Sequence, residues 1–198
     1  MNEPMSAGGH VPRKTFHLIA ASVFPAAYLY APVPREWIAL AAAALAVVWV
    51  GLDLGRLYLP PLNNFLMRVF GLLLKRRESG ALTGSSYLIL GTVICLYTFP
   101  PITAIAALFY IALGDPAAAL VGGRFGKLRL PNGRSLEGSA AMLCVCLLTG
   151  AALELPASAS AAGALAATLA ELYSGRLDDN LTVPLAGGGA ITVTQWML

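Results

Sequence analysis

Seven apolar stretches separated by short polar turns constrain this chain more than any other feature. They fall at about residues 13–33, 37–51, 82–99, 102–121, 139–153, 157–173 and 181–198. Roughly 20 apolar residues are what an α-helix needs to cross the hydrocarbon of a bilayer. Inside lipid the backbone must satisfy its own polar groups, which leaves helices or closed barrels. The 198 residues are 58% hydrophobic and 12% charged, with a mean hydropathy of +0.72, too apolar to coat a water-soluble domain. The expected fold is all-α: one domain, 1–198, forming a polytopic integral membrane protein with six to seven transmembrane helices.

Some stretches do not fit a plain span. Residues 1–11 read as a loose tail. Arg13-Lys14 precede an apolar run, but no small-x-small site closes it and further spans come after it, so a cleavable signal is not expected. Residues 60–74 are too short to span. Pro60-Pro61 break the chain and Asn63-Asn64 are placed to cap the segment after them, which reads as an interfacial or re-entrant helix ended by Lys75-Arg76-Arg77-Glu78. Residues 157–173 are mostly Ala and suit close helix packing. Residues 181–198 carry Gly187-Gly188-Gly189 and are the weakest span. Cys95, Cys144 and Cys146 all sit in apolar runs and read as packing residues, not as disulfides or metal ligands.

Charge sets an orientation. If Arg13-Lys14 are cytoplasmic, seven alternating spans place 52–81, 122–138 and 174–180 on the same side. Of the thirteen Lys and Arg residues, all but Arg35 then lie there, in accord with the positive-inside rule. Topology accounts for the basic residues, so nucleic acid is not an expected partner. The site implied by the polar clusters is cytoplasmic, with the lipid bilayer beside it.

The densest cluster is I-A-L-G-D-P-A-A-A-L-V-G-G-R-F-G-K-L-R-L-P-N-G-R-S-L-E-G, residues 111–138. Asp115 lies within an apolar run, where an acid normally faces protein or water. Gly114-Asp115-Pro116 is also a helix-start signature, which would break the fourth span and begin a second short helix at Pro116. A helix start facing an enclosed polar space suits phosphate, or a metal held by the acid; the alternative is a plain interfacial cap. Gly122, Gly123, Arg124, Gly126 and Lys127 lack P-loop spacing. Even so, glycines in a loop let N–H groups approach phosphate while Arg and Lys add charge; the alternative is a basic turn against lipid headgroups. After the turn signal Asn132-Gly133, Arg134 is placed to clamp phosphate and Glu137 to hold Arg134 or a metal; the alternative is an ordinary loop and helix start.

Weaker signals flank this stretch. Arg13 and His17 share a helix face, with Lys14 beside them; by itself that is an interfacial anchor. Asp53 and Arg56 stand at i, i+3 and can pair. Glu171, Ser174 and Asp178 share a face if the sixth helix continues. Asp178-Asp179-Asn180, with Glu171, can hold a hard cation such as Mg²⁺ or simply form a capping turn.

Together these residues resemble a known family. Arg13, Lys14 and His17 as R-K-x-x-H, then Glu78 ahead of T-G-S-S-Y, then G-D-P-A-A-A-x-x-G-x-x-F-G-K, R-S-L-E-G-S, Glu171 and D-D-N at 178–180 resemble the dolichol kinase, phytol kinase and CTP-dependent diacylglycerol kinase family. The resemblance runs in order along nearly the whole chain. Arg134 stands where that family usually has Lys, and Asp53 where it usually has Glu. The resemblance implies Mg²⁺-requiring transfer of the γ-phosphoryl group of CTP to a membrane lipid alcohol. It casts Asp115, Asp178 and Asp179 as metal-holding or alcohol-orienting, and His17 as a proton carrier. Arg13, Lys14, Gly122, Gly123, Arg124, Gly126, Lys127, Arg134 and Ser135 form the nucleotide side, with Glu78, Glu137, Glu171 and Asn180 in support. The central block is also similar to phosphatidate cytidylyltransferases, which leaves CTP:lipid-phosphate nucleotidyl transfer as the alternative activity. A transporter or scaffold would place polar residues at the midplane, not in a cluster on one side.

Overall fold

A computed structural model describes residues 10–70, 80–174 and 177–198, with side chains from Lys14 onward. The described residues are helical and form no strand; Arg129 and Ser135 make a single isolated bridge. The helices are α1 His10–Tyr30, α2 Arg35–Tyr58, α3 Pro60–Phe70, α4 Gly84–Thr98, α5 Pro101–Phe109, α6 Asp115–Phe125, α7 Leu136–Ala152, α8 Ala157–Tyr173 and α9 Asp179–Trp196. A π-helical turn, Tyr110–Gly114, joins α5 to α6 without a break.

Local chemistry accounts for most boundaries. Thr83, Ser135 and Asp178 are N-caps, each accepting a backbone N–H of its own first turn, from Ser86, Gly138 and Asn180. Pro34, Pro100 and Pro156 precede α2, α5 and α8, where the chain must be extended just before a helix.

Among the described residues two helical stretches are long and apolar enough to cross a membrane: α2, and the continuous α5–α6 run Pro101–Phe125; α4 and α7 are shorter and apolar. Trp37, Val47 and Val48 of α2 are exposed, an outer face suited to hydrocarbon and not to water. The α5–α6 run is the axis of the bundle. Tyr110, Ile111 and Ala112 of the π-turn are fully buried among residues of α7, α8 and α9.

Small residues set the closest approaches. A methyl group on Gly163 of α8 would stand 2.4 Å from Ile191 of α9, and one on Gly187 would meet Tyr110 at 2.9 Å. The Ala-rich α8 and glycine-bearing α9 therefore pack along each other, as small-residue helices do in membranes. The glycine run does not interrupt α9.

Four expectations are corrected. Asp115 caps nothing: the residue before it is already helical, and the fourth apolar run is not broken. Gly122 and Gly123 lie inside α6, which extends to Phe125, and not in a loop. α8 stops at Tyr173, so Glu171, Ser174 and Asp178 do not share one helix face; Asp178 begins the next helix. Asn63 and Asn64 lie within α3, not ahead of it. α3 itself has no buried residue, as an interfacial helix would. Glu78 and the cationic cluster 75–77 lie outside the described residues.

Candidate functional site

Four elements enclose a cleft of about 260 Å³: the C-terminal half of α6, the 126–135 turn, the start of α7 and the last turn of α8. Ala118, Gly122 and Gly123 form one wall, Ser135 and Gly138 another, with Arg129, Arg134 and Glu171 as its charged groups. The intervening turn is built from its own side chains. The Arg134 N–H is donated to the Asn132 carboxamide oxygen at 3.1 Å, and Gly133 takes a positive φ of 84°, which favours glycine. Asn132 also donates to the Leu172 carbonyl at 2.6 Å, tying the turn to the end of α8.

That tie carries Arg134 to its partners. One guanidinium nitrogen pairs with Glu171, and another donates to Ser174 at 2.8 Å and to Asp179 at 3.2 Å. A planar guanidinium held from several sides presents fixed donors, the arrangement suited to oxyanions. Glu171 is only 7% exposed, and the charges of Asp115 and Asp179 also act on it. Two acids flank Glu171 and Arg134 at the point where α6, α8 and α9 meet.

The glycines serve differently from expectation. A methyl on Gly122 would lie 2.7 Å from the Ser135 hydroxyl oxygen, and one on Gly126 would meet the Gly122 carbonyl at 2.3 Å. Gly138 is equally confined, by the Ala118 carbonyl at 2.7 Å. Close packing of α6 against the start of α7 requires these three. The N–H groups of Gly122 and Gly123 lie inside α6 and are spent on helix bonds, so they form no phosphate cradle. Gly123 alone among the cleft glycines of α6 has open space about it. Ser135 is first a cap, its oxygen accepting the Gly138 N–H at 3.1 Å.

Glu137 does not hold Arg134. Its carboxylate accepts the Lys127 N–H at 3.0 Å and the Leu128 N–H at 3.1 Å. With its own N–H as the largest cause, these bonds hold its pKa below the usual carboxylate value. Lys127 and Arg124 are exposed, the latter over the Phe125 ring at 5.6 Å. Asp178 accepts from Asn180 through both backbone and side chain, and Asn180 also donates to the Gly84 carbonyl at 3.1 Å. Lys14 and His17 do not line the cleft. The His17 Nε2 is buried without a hydrogen-bond partner among the described residues. The Arg13 side chain is not described. Among the described residues no three His, Cys, Asp or Glu gather to hold a metal, so Asp115, Asp178 and Asp179 are not a ready-made cage. Arg129, a member of the same Gly/Arg/Lys run, lines the cleft and donates to the Gly122 carbonyl at 3.3 Å.

A second polar cluster lies at the end of α2. Asp53 accepts from the Arg56 Nε at 2.6 Å, from the Thr83 N–H at 2.7 Å and from the Ser86 hydroxyl. Arg56 also reaches Asn63 at 3.0 Å and the Ala81 carbonyl at 2.7 Å. The expected Asp53–Arg56 pair exists, and it anchors α3 and the start of α4.

Proteins similar to this chain include lipid kinases. The chain is 31% identical over 141 residues to CTP-dependent diacylglycerol kinase 1 of Eremothecium gossypii, covering 70% of this chain and 44% of that one. It is 29% identical over 142 residues to the Saccharomyces cerevisiae protein of the same name, covering 70% and 48%. The chain thus spans somewhat under half the length of these two kinases. It belongs to the family of uncharacterized protein RP860 of Rickettsia prowazekii, with which it is 30% identical over 197 residues, 94% of this chain and 95% of that one. No model of a known protein family matches the chain, and no solved structure matches it.

Proposed function

We propose that this protein is a multi-pass membrane lipid kinase that transfers the γ-phosphoryl group of CTP to the hydroxyl of a lipid alcohol at the cytoplasmic face. The observation that carries this reading is Arg134, fixed by Glu171, Ser174 and Asp179 in a cleft at one end of an apolar bundle. Phosphoryl transfer asks the protein mainly for position and charge neutralisation, and a braced guanidinium supplies both. Arg129 adds a second cation at the cleft wall, and Lys127 is exposed two residues before it. Diacylglycerol, a polyprenol such as dolichol, and phytol all present a hydroxyl at this depth.

Mg²⁺ fits the donors present only as a shared ion. One or two carboxylates from Asp115, Asp178 and Asp179 would hold it and phosphate oxygens would complete its shell, which is how Mg²⁺ commonly binds. When bound, Mg²⁺ and CTP together supply the reactive phosphoryl group and screen its charge. Ser135 positions the turn that aims Arg134, and Glu171 holds the guanidinium.

The orientation rests on the distribution of Lys and Arg, and contacts between segments distant in sequence support a shared face. These contacts link Asp53 to Thr83, Gly84 to Asn180, and Arg134 to Ser174 and Asp179, the arrangement expected of alternating spans with a cytoplasmic N-terminus.

Labelled CTP with mixed lipid alcohols tests the reading. Label from the γ-position in lipid supports the kinase. Label from the α-position with pyrophosphate release means cytidylyl transfer instead, and no transfer favours a transporter or scaffold. Single cysteines at positions 132 and 177, with Cys95, Cys144 and Cys146 replaced, should both label from the cytoplasmic side; opposite sides would exclude a single site.

A further inference from the structure

The turn between α6 and α7 carries apolar side chains that a turn facing water does not need. Phe125 is 59% exposed, Leu128 62% and Leu136 46%. Leu128 is held through its backbone alone: Glu137 accepts its N–H, and its carbonyl accepts the Leu136 N–H at 3.0 Å. Leu128 and Leu136 thus stand opposite each other, next to the Arg129–Ser135 bridge. Large apolar side chains gathered on a surface mark a contact with something else.

Continuity points to what covers them. Leu136, Ala140, Cys144 and Leu148 recur at i, i+4 along α7 and are all exposed. In a chain that crosses a bilayer such a row faces hydrocarbon. Leu128 carries the row past the start of the helix and onto the turn. Charge agrees. Arg124 and Lys127 are exposed and do not line the cleft, and the Arg124 guanidinium stands 5.6 Å over the Phe125 ring. The acid beside them, Glu137, spends its carboxylate on the Lys127 and Leu128 N–H groups. Apolar side chains edged by cations fit the boundary between acyl chains and anionic headgroups. A second copy of this chain would instead bring the same cations together, since a two-fold contact sets a patch against itself.

We propose that the 124–136 turn is a docking surface for anionic lipid. Phe125, Leu128 and Leu136 sit among the upper acyl chains, and Arg124 and Lys127 bind headgroup phosphate. This rests on the membrane reading above and not on the kinase activity. Arg129 follows Leu128 and Ser135 precedes Leu136, and both line the cleft. Seating the leucines therefore holds the cleft at headgroup depth, where a lipid hydroxyl stands.

The test uses the full chain in vesicles of phosphatidylcholine and phosphatidylglycerol in equal parts. Trp37, Trp49 and Trp196 are replaced by Phe, and Leu128→Trp is the single reporter. Brominated lipid quenches tryptophan on contact, so brominating one lipid at a time reads both depth and preference. Emission should be blue-shifted and quenched by both lipids, with phosphatidylglycerol favoured about fivefold, the effect of one cation at an anionic surface. Adding Arg124→Gln and Lys127→Gln should lower the preference below about twofold while quenching persists. Emission typical of water overturns the proposal. So does a buried reporter that neither lipid quenches, which would mean that protein covers the patch. A preference unchanged by the two Gln substitutions, or one abolished by saturating CTP, overturns the headgroup assignment. If the reporter variant does not yield helical protein, a spin label on Leu128→Cys, with Cys95, Cys144 and Cys146 replaced, must be more accessible to oxygen than to a neutral nickel chelate. A variant keeping Trp37 alone, exposed on α2, separates the two readings. Trp37 unquenched as well removes the membrane reading and this proposal together; Trp37 quenched beside an unquenched reporter at 128 removes this proposal alone.

Discussion

Replacing Arg56 by Met should destabilise this protein more than any exposed charge substitution. Arg56 is 2% exposed and Asp53 5%. The Arg56 Nε donates to Asp53 at 2.6 Å, one terminal nitrogen to Asn63 at 3.0 Å and the other to the Ala81 carbonyl at 2.7 Å. The second Asp53 oxygen takes the N–H and hydroxyl of Thr83 and the hydroxyl of Ser86. These bonds fasten α2 to α3 and to the first turn of α4. Methionine keeps much of the apolar stem and removes the cation, stranding a buried carboxylate. Breaking one side of a buried pair costs about 3–5 kcal/mol, whereas an exposed pair is worth about 0.2–1 kcal/mol. For a chain of this size each kcal/mol moves Tm by about 2–4 °C, so the expected loss is about 6–20 °C. Tryptophan fluorescence melts in detergent would read it, alongside Asp53→Asn and the double variant. The double variant should lose less than the sum of the singles, by about 1–3 kcal/mol, because the two side chains share one network. An Arg56→Met protein melting within about 2 °C of wild type, or strictly additive losses, would refute the assignment.

Gly122→Ala should cost about 1–3 kcal/mol, because the new methyl would lie 2.7 Å from the Ser135 oxygen, while Gly123→Ala, with nothing within 4 Å, should stay within about 0.5 kcal/mol; equal losses in the two melts would contradict the packing. Asp115→Asn should lower kcat by orders of magnitude; near-normal turnover would remove Asp115 from the site. The lowered pKa of Glu137 means its contribution to stability is present above the ordinary carboxylate value of about 4.3 and is lost as pH falls through the depressed folded value. Tm of Glu137→Ala should therefore decline less on acidification than that of the wild type, and parallel curves from neutral pH to about pH 3 would show the bonds to Lys127 and Leu128 to be energetically idle.

The position of α8 was readable from the sequence because apolar runs are local: residues 157–173 coincide with it. The start of α7 was not: the apolar run begins at Ser139, whereas the helix begins at Leu136 with Ser135 as its cap. What was misread depended on tertiary contact. Asp-Pro looked like a helix start, and the cap rules allow that. Pro116 lacks the N–H that a regular helix would give to residue 112, yet the chain passes this point through the buried π-turn Tyr110–Gly114. Met142 of α7 packs there, 3.0 Å from where a methyl on Gly114 would stand. No local pattern contains that helix. Arg134 shows the same limit at the site. Its basic character and turn were legible, and Glu171, Ser174 and the Asp178-Asp179 pair were legible as an acidic group. Their grouping by helix periodicity was mistaken, since α8 ends at Tyr173. They come together because Asn132 pulls the 126–135 turn onto the end of α8 across 40 residues of sequence. One-sided placement of charge is an expectation that the sequence alone supports, since a membrane would sort cations by face whatever the packing inside. The pairing of those charges into a cleft depends on which helix ends meet, and here the end of α8 and the start of α9 meet at Arg134.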